Sequence, residues 1–233
     1  MYDSGAVSKD NQYHEFKIAR EIAKYTAEYL GCDLMNYNGE LYLVDRINEI
    51  NKRDYDFVAE IHLNAGGGTG TETYYYHGSE RGKKAADVIC KNISEALAVK
   101  NRGSKIRLGK NGKDYFGFIR QTKPCAILIE TVFIDNENDL AKIKTEQGMK
   151  ECGIAIGRAL ESVLFDGDVR FEAEVTCPSL NIRKGPGMEY QVTAYLRMGN
   201  KVLIDKTDSA GRWGRLSDGR GWINITEKYV RRG

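Results

Sequence analysis

An α/β domain followed by a small all-β barrel is the fold class this sequence predicts, on two observations. Up to about Asp168 short apolar runs alternate with long segments of helical period, and beyond it the chain breaks into short β-rich pieces punctuated by Gly and Asp. The shift sets the expected domains at residues 1–166 and 169–233, and 233 residues are enough for both. The first domain is expected to hold a twisted, mostly parallel sheet flanked by helices, with ligands collecting beyond the carboxyl ends of its strands.

The elements follow in order. Ile18, Ile22, Tyr25, Tyr29 and Leu30 recur at spacings of three and four, which predicts an amphipathic helix over Phe16 to Leu30. Val58 to Asn64 reads as a strand, and Thr71 to Tyr76 is aromatic and β-prone. Ala86, Val88, Ile89, Ile93 and Leu97 form a helical stripe over Lys83 to Leu97, and Ala126 to Ile129 is a short apolar strand. From Asn138 to Leu164 the pattern predicts one or two closing helices, divided near Gly148. The second part offers Glu174-Val-Thr-Cys, Leu180-Asn-Ile-Arg, Val192 to Leu196, Lys201 to Ile204, Arg212 to Leu216 and Gly221 to Asn224, five or six short strands for a small barrel.

Composition excludes several classes. A net charge of +2 from 35 basic and 33 acidic side chains lacks the basic excess that phosphate contacts need, so no nucleic-acid partner is expected. No run of about eighteen apolar residues occurs, so no membrane span is expected. The first residues lack the basic and apolar regions of a secretory signal, which predicts synthesis in the cytoplasm without a signal peptide. Cys32, Cys90, Cys125, Cys152 and Cys177 are odd in number and widely spaced, which predicts reduced, mostly buried thiols. Charge divides unevenly, with twelve Lys or Arg against seven Asp or Glu from Val169 onward and 23 against 26 before it. The second domain is therefore either a module drawn to an anionic surface or merely a solvated basic face.

Three residues of the first domain carry the chemistry. His62 ends an apolar strand just before Ala65-Gly-Gly-Gly68 and reads either as a satisfied hydrogen-bonding residue or as a metal ligand. Glu130 interrupts Ala126-Ile-Leu-Ile-Glu-Thr-Val-Phe133, where a carboxylate is costly unless it is paired, metal-bound or open to a cleft. Glu15 opens the first helix, where the helix dipole favours a carboxylate whatever its role. Together they are the residue types of a zinc hydrolase, two ligands and a second carboxylate acting on metal-bound water.

Asp3-Ser-Gly-Ala6, Glu15, the Arg46 to Asn51 segment, Ile61-His-Leu-Asn-Ala65 and Ile127-Leu-Ile-Glu-Thr-Val-Phe133 occur in the order and spacing of the zinc-dependent N-acetylmuramoyl-L-alanine amidases of the amidase-3 family, which the chain resembles over residues 2–164. The resemblance implies Zn2+ held by Glu15 and His62, with Glu130 as the catalytic glutamate. It implies a substrate-binding role for Arg120, in Phe118-Ile-Arg-Gln-Thr122, and for Asn64. In the family a further histidine ligand ends a first strand a few residues before the Asp-x-Gly-Ala motif. This chain starts at Met1-Tyr2-Asp3, so that strand and ligand are expected to be missing. His14 is a poor substitute, since neighbouring helical residues point about 100° apart. A truncated product or start site, a degenerate amidase that only binds wall, and an unusual metal site are the competing explanations, the first being favoured.

Ser179-Leu-Asn-Ile-Arg-Lys-Gly-Pro-Gly187, Tyr190, Gly199, Trp213 and Gly221-Trp222-Ile223 resemble a bacterial SH3 domain. That resemblance implies a peptidoglycan-binding module contacting stem peptide, with Tyr190 and Trp213 as contacts and Trp222 in the core; Trp213 is read equally well as core. Gly66 to Gly70 lacks the GK[ST] of a phosphate loop and reads as a flexible loop at the site edge. His77 reads as a surface loop residue, and Lys105-Ile-Arg107 with Lys110 as a solvated loop or one that contacts peptide carboxylates. The expected function is a peptidoglycan hydrolase, an endolysin or sporulation autolysin acting at the bacterial wall after a holin lesion or cell lysis. A carboxypeptidase or endopeptidase and a non-catalytic wall-binding protein are the alternatives.

Overall fold

A computed structural model of the chain describes residues 5–35, 42–164, 170–208 and 211–233. Asp3, Ser4 and the boundary expected at residues 166–169 lie outside them. The chain divides into two compact units, residues 1–29 with 34–160, and residues 30–33 with 161–233.

The first unit is built on four strands, β1 (Phe57–Asn64), β2 (Thr71–Tyr75), β3 (Asn101–Lys105) and β4 (Cys125–Phe133), in the order β1-β4-β2-β3. β1 pairs with β4 in parallel and β2 with β3 in parallel, but β2 and β4 run antiparallel, so the sheet is mixed rather than mostly parallel. Connection length is the cause. Residues 65–70, which join β1 to β2, are too few for a crossover of about a dozen residues. β2 therefore runs back, and β4, parallel to β1, meets it antiparallel.

Six helices surround this sheet, α1 (Glu15–Leu30), α2 (Leu43–Asn51), α3 (Glu80–Leu97), α4 (Gly117–Gln121), α5 (Glu137–Ile143) and α6 (Glu146–Leu164). The apolar stripes predicted for α1 and α3 are the faces they bury, through Ile18 and Ile22 and through Ala86, Ile89, Ile93 and Leu97. Ser79 caps α3 by accepting from the Gly82 amide, which starts the helix three residues earlier than its apolar stripe. On the other face of β4, Ala126 and Leu128 pack with Ile50 of α2 and Phe118 and Ile119 of α4.

The closing helices part at Lys144 and Thr145, not at Gly148, which lies inside α6. A Cβ at Gly148 would stand 1.9 Å from the Lys142 carbonyl oxygen, so the glycine permits a close approach and breaks nothing. Gly153 plays the same part between α6 and α1, and Thr26 Oγ1 bridges that contact by donating to the carbonyls of Ile22 and Gly153.

In the second unit β5 (Phe171–Val175), β6 (Ser179–Arg183), β7 (Val192–Arg197), β8 (Lys201–Thr207), β9 (Trp213–Leu216), β10 (Trp222–Asn224) and β11 (Val230–Arg232) form one antiparallel sheet, ordered β11-β5-β8-β9-β10-β6-β7. The expected closed barrel is not formed among the described residues. β11 pairs only with β5 and β7 only with β6, which leaves two edges. The alternating residues Ala173, Val175, Leu180, Ile182, Val202, Ile204, Leu216 and Ile223 make a core of the unit's own. Of the cysteines, Cys90 and Cys152 are buried, whereas Cys32 is exposed and Cys125 and Cys177 are half-buried, so burial is less general than expected.

Candidate functional site

Strand register assembles the site. His62 on β1 is the direct partner of Glu130 on β4, and Glu130 is the direct partner of Glu72 on β2. Directly paired residues share a sheet face, so three adjacent strands place His62, Glu130 and Glu72 side by side. β4 does not end at Ile129 as its apolar run predicts; β1 and β2 both pair with it at Glu130, and β1 carries it on to Phe133. Period two along β1 adds Glu60 and Asn64 to the same face.

Glu15 reaches the site from the first position of α1. His62 Nδ1 donates to its Oε1 at 2.7 Å, the Leu63 amide donates to the same oxygen at 3.2 Å, and the Ala6 amide donates to Oε2 at 2.7 Å. Burial raises the Glu15 carboxyl, but the hydrogen bonds from His62 and Ala6 outweigh it and hold the group below its ordinary value. Glu60 lies on the other side of the ring, its Oε2 3.4 Å from His62 Nε2 and its Oε1 accepting from Arg46 Nη1 at 2.8 Å. Burial opposes charge on His62, yet the two flanking carboxylates, Glu15 foremost, push it up to about 10. The two carboxylates thus favour the protonated imidazole.

Glu72 anchors the far side. It is 3% exposed, and its Oε1 accepts from Asn64 Nδ2 at 3.0 Å and Tyr74 Oη at 2.8 Å. Its Oε2 accepts from Arg102 Nε and Lys105 Nζ, both at 2.5 Å. Burial alone would raise this carboxyl; Lys105, Arg102 and Tyr74 bring it down to about 2. Glu130 is treated differently. Its Oε2 is buried and meets no donor among the described residues, and burial, with Glu15, Glu72 and Glu60 nearby, raises it to about 7 against the pull of His62.

The loop after β1 is fastened rather than loose. Gly66 and Gly67 both donate their amides to Asp135 Oδ2, at 2.8 and 2.7 Å, and adopt φ of 121° and 77°, which favour glycine.

The structure therefore brings Glu15, His62 and Glu130 together. Asn64 stands beside them with its amide spent on Glu72 and on the Ala65 amide. Arg120 does not reach the Glu130 face through any described bond; its Nη1 holds the carbonyls of Asp114 and Tyr115. In the second unit Tyr190 is half-buried, while Trp213 is 7% and Trp222 6% exposed. Trp213 is thus buried, the second of the two readings the sequence left open. Lys105 belongs to β3 and to Glu72, not to a solvated loop. Glu60, Arg46, Glu72 and Arg102 had gone unassigned by sequence reasoning. For Glu60 a signal existed, since it stands two residues before His62 on a strand.

As a zinc site the group is incomplete. Among the described residues no three His, Cys, Asp or Glu side chains converge on a common metal position. Glu15 and His62 are bonded to each other through Nδ1, and His62 Nε2 is buried with no hydrogen-bond partner among the described residues.

Comparison with known proteins matches this arrangement to one family. The family model described as N-acetylmuramoyl-L-alanine amidase covers residues 1–162. N-acetylmuramoyl-L-alanine amidase CwlM of Bacillus licheniformis is 35% identical over 104 residues, 44% of this chain and 38% of its own length. Among solved structures, Cwp6 from Clostridium difficile superposes with a TM-score of 0.65 at 35% identity, over 70% of this chain and 28% of that one. An N-acetylmuramoyl-L-alanine amidase from Clostridium difficile 630 gives 0.60 at 26% identity, over 70% and 90%. The chain thus spans well under half the length of CwlM and of Cwp6. With the family model covering its whole first unit, the chain belongs to the amidase-3 family of N-acetylmuramoyl-L-alanine amidases.

Proposed function

We propose that the first unit hydrolyses the amide between the lactyl group of N-acetylmuramic acid and L-alanine in peptidoglycan, and that the second unit holds it to the wall. Glu130 carries this reading. It is a half-buried carboxyl with one buried, unpartnered oxygen, set directly across the strand register from His62. Poised at about 7, it takes a proton from an attacking water and returns it to the departing amine. Glu15 and Glu60 hold the imidazole between them and fix its orientation. Asn64, locked by Glu72, walls the same face.

Zinc is the general cofactor of this family, and here it would need a third donor beside Glu15 and His62. That shortage favours a second reading, a wall-binding protein without catalysis. The second unit suits an anchor in either case. From Val169 onward it carries a net +5, and Leu180-Asn-Ile-Arg183 with Tyr190 resembles a bacterial SH3 module that meets stem peptide on an anionic wall. No described helix is long and apolar enough to cross a membrane.

Cell walls incubated with the purified chain, with and without added zinc, test both readings. Newly exposed L-alanine amino termini, falling by a factor of about 10²–10⁴ in Glu130→Gln, support amide hydrolysis. Release of D-alanine or of cross-link termini would assign a carboxypeptidase or endopeptidase instead. Sedimentation with walls and no release at any zinc level would leave the binding protein.

A further inference from the structure

The segment after β3 is a hairpin that the reaction chemistry does not use. Tyr115 donates its amide to the Arg107 carbonyl at 2.8 Å, Leu108 bridges Asp114, and Gly109 donates to Lys113 at 2.8 Å. Three clamps fix its base. Arg120 Nη1 grips the carbonyls of Asp114 and Tyr115. Asp114, 3% exposed, accepts from the His77 amide at 3.2 Å and from its Nδ1 at 2.9 Å. The Arg107 guanidinium carbon lies 3.9 Å from the Tyr115 ring centroid, a cation–π contact.

The hairpin also adjoins the site. Phe116 packs on Tyr74 with ring centroids 4.8 Å apart, and Tyr74 Oη donates to Glu72 on the Glu130 face. So anchored, it leaves its apolar side chains in solvent, with Ile106 49%, Leu108 47% and Tyr115 52% exposed. Its charge is mostly positive, its one acid, Asp114, being bonded to His77. Lys105, Arg107, Lys110 and Lys113 occur with no acid before Asp114, in a part of the chain that carries 23 basic against 26 acidic residues overall.

We propose that this hairpin, residues 106–115, is the arm that recognises the acidic peptide portion of the substrate, with Arg107 taking its carboxylates, Tyr115 and Leu108 lying along its small apolar side chains, and Arg120 a positioning residue that acts by holding the arm. The assignment rests on the amide-hydrolase reading for the identity of the ligand. Charge complementarity selects an anionic ligand, the exposed apolar residues select one that also presents methyl groups, and a stem peptide of alanines and carboxylate-bearing residues presents both. Phe116 and Tyr74 join the arm to the face that carries Glu130.

Calorimetry on the full chain tests this with two probes, a muramoyl peptide with free carboxylates and the same compound with those carboxylates amidated. The free form is expected to bind about tenfold more tightly, the worth of one charge-assisted hydrogen bond. Arg107→Ala should shrink that preference below about threefold, while Lys91→Ala, which removes an exposed charge from α3, keeps it. Arg120→Ala should weaken both forms and open the hairpin to proteolysis, and Arg120→Lys should restore part of each. Undiminished preference in Arg107→Ala, no measurable binding of either probe, or weakened binding in Arg120→Ala with the hairpin still protected would overturn the proposal. Amide hydrolysis of walls together with undiminished preference in Arg107→Ala removes the arm alone. Carboxylate preference lost in Arg107→Ala, with no L-alanine termini released by any form, removes the hydrolase reading and leaves the arm.

Discussion

Replacing Glu72 by Gln isolates the charge that holds the far side of the site. The side chain keeps its shape, but Arg102 and Lys105 lose the anion they share. In the folded chain the carboxyl is held at about 2 against an ordinary 4.5, a difference worth about 3 kcal/mol. Both cations are about 30% exposed and rehydrate in part, so the loss belongs at the low end of the 3–5 kcal/mol range for breaking a buried pair. The sign follows from linkage. A depressed carboxylate stabilises fully above its unfolded value, loses that contribution as pH falls from about 4.5, and has lost most of it at about 2. Urea unfolding followed by far-ultraviolet ellipticity reads the first unit, because every described helix lies within residues 15–164. Both tryptophans lie in the second unit, so their fluorescence reports that unit separately. The gap between wild type and Glu72→Gln should be about 3 kcal/mol at pH 7 and about 1 kcal/mol at pH 3. A gap that stays constant over this range, or one below about 0.5 kcal/mol at pH 7, would show that the charge network contributes no electrostatic stability.

Glu130→Gln should act in the opposite sense on stability. A carboxyl raised to about 7 makes the native state bind more protons than the unfolded chain between 4.5 and 7, so wild-type stability falls with rising pH across that window. Gln removes the fall, which makes the variant the more stable protein at pH 8 in the same urea titration and nearly equal at pH 4. Gly153→Ala places a Cβ 2.7 Å from the Ile22 carbonyl oxygen and from Tyr25 Cβ, both in α1, and should lower the thermal midpoint by an overpacking cost of about 1–3 kcal/mol. Trp213→Ala should remove about 3–5 kcal/mol from the second unit through a core cavity, whereas Tyr190→Ala should weaken sedimentation with walls more than it shifts the fluorescence-monitored midpoint.

What the sequence made legible is what local pattern encodes. α1, α3, β1, β2 and the apolar part of β4 each repeat at their own period and are present within a few residues of expectation. The parts that escaped are those decided by partners distant in the chain. β3, Asn101–Lys105, has little β character and is a strand because β2 pairs with it. β2 reverses direction because its loop is short. The end of β4 was misplaced because Glu130 reads as a terminus until β1 pairs past it. In the second unit the strands were legible from turns and alternation, but sheet closure is a global property that no strand carries. Arg183 is the exception that a motif announced. It is 9% exposed and donates to the carbonyls of Met188 and Tyr190 at 2.8 Å, which is why an arginine follows Leu-Asn-Ile before the Gly-Pro turn.

The same division explains the site. His62, Glu15 and Glu130 stood out because each breaks or borders an apolar element, whereas Glu60, Glu72, Arg46 and Arg102 look like surface charges until register turns them inward. Their function is to leave one carboxylate uncompensated. Glu15 takes the imidazolium, Glu60 takes Arg46, and Glu72 takes Arg102 and Lys105. Glu130, abreast of all of them, keeps a buried oxygen that no described donor reaches. Had a cation been paired with it as well, its pKa would fall with those of Glu60 and Glu72, and it would hold no proton near neutrality to pass on. The surrounding pairs thus do two things at once: they make a buried cluster of four carboxylates affordable, and they consume the cations that would otherwise silence the one carboxyl with work to do.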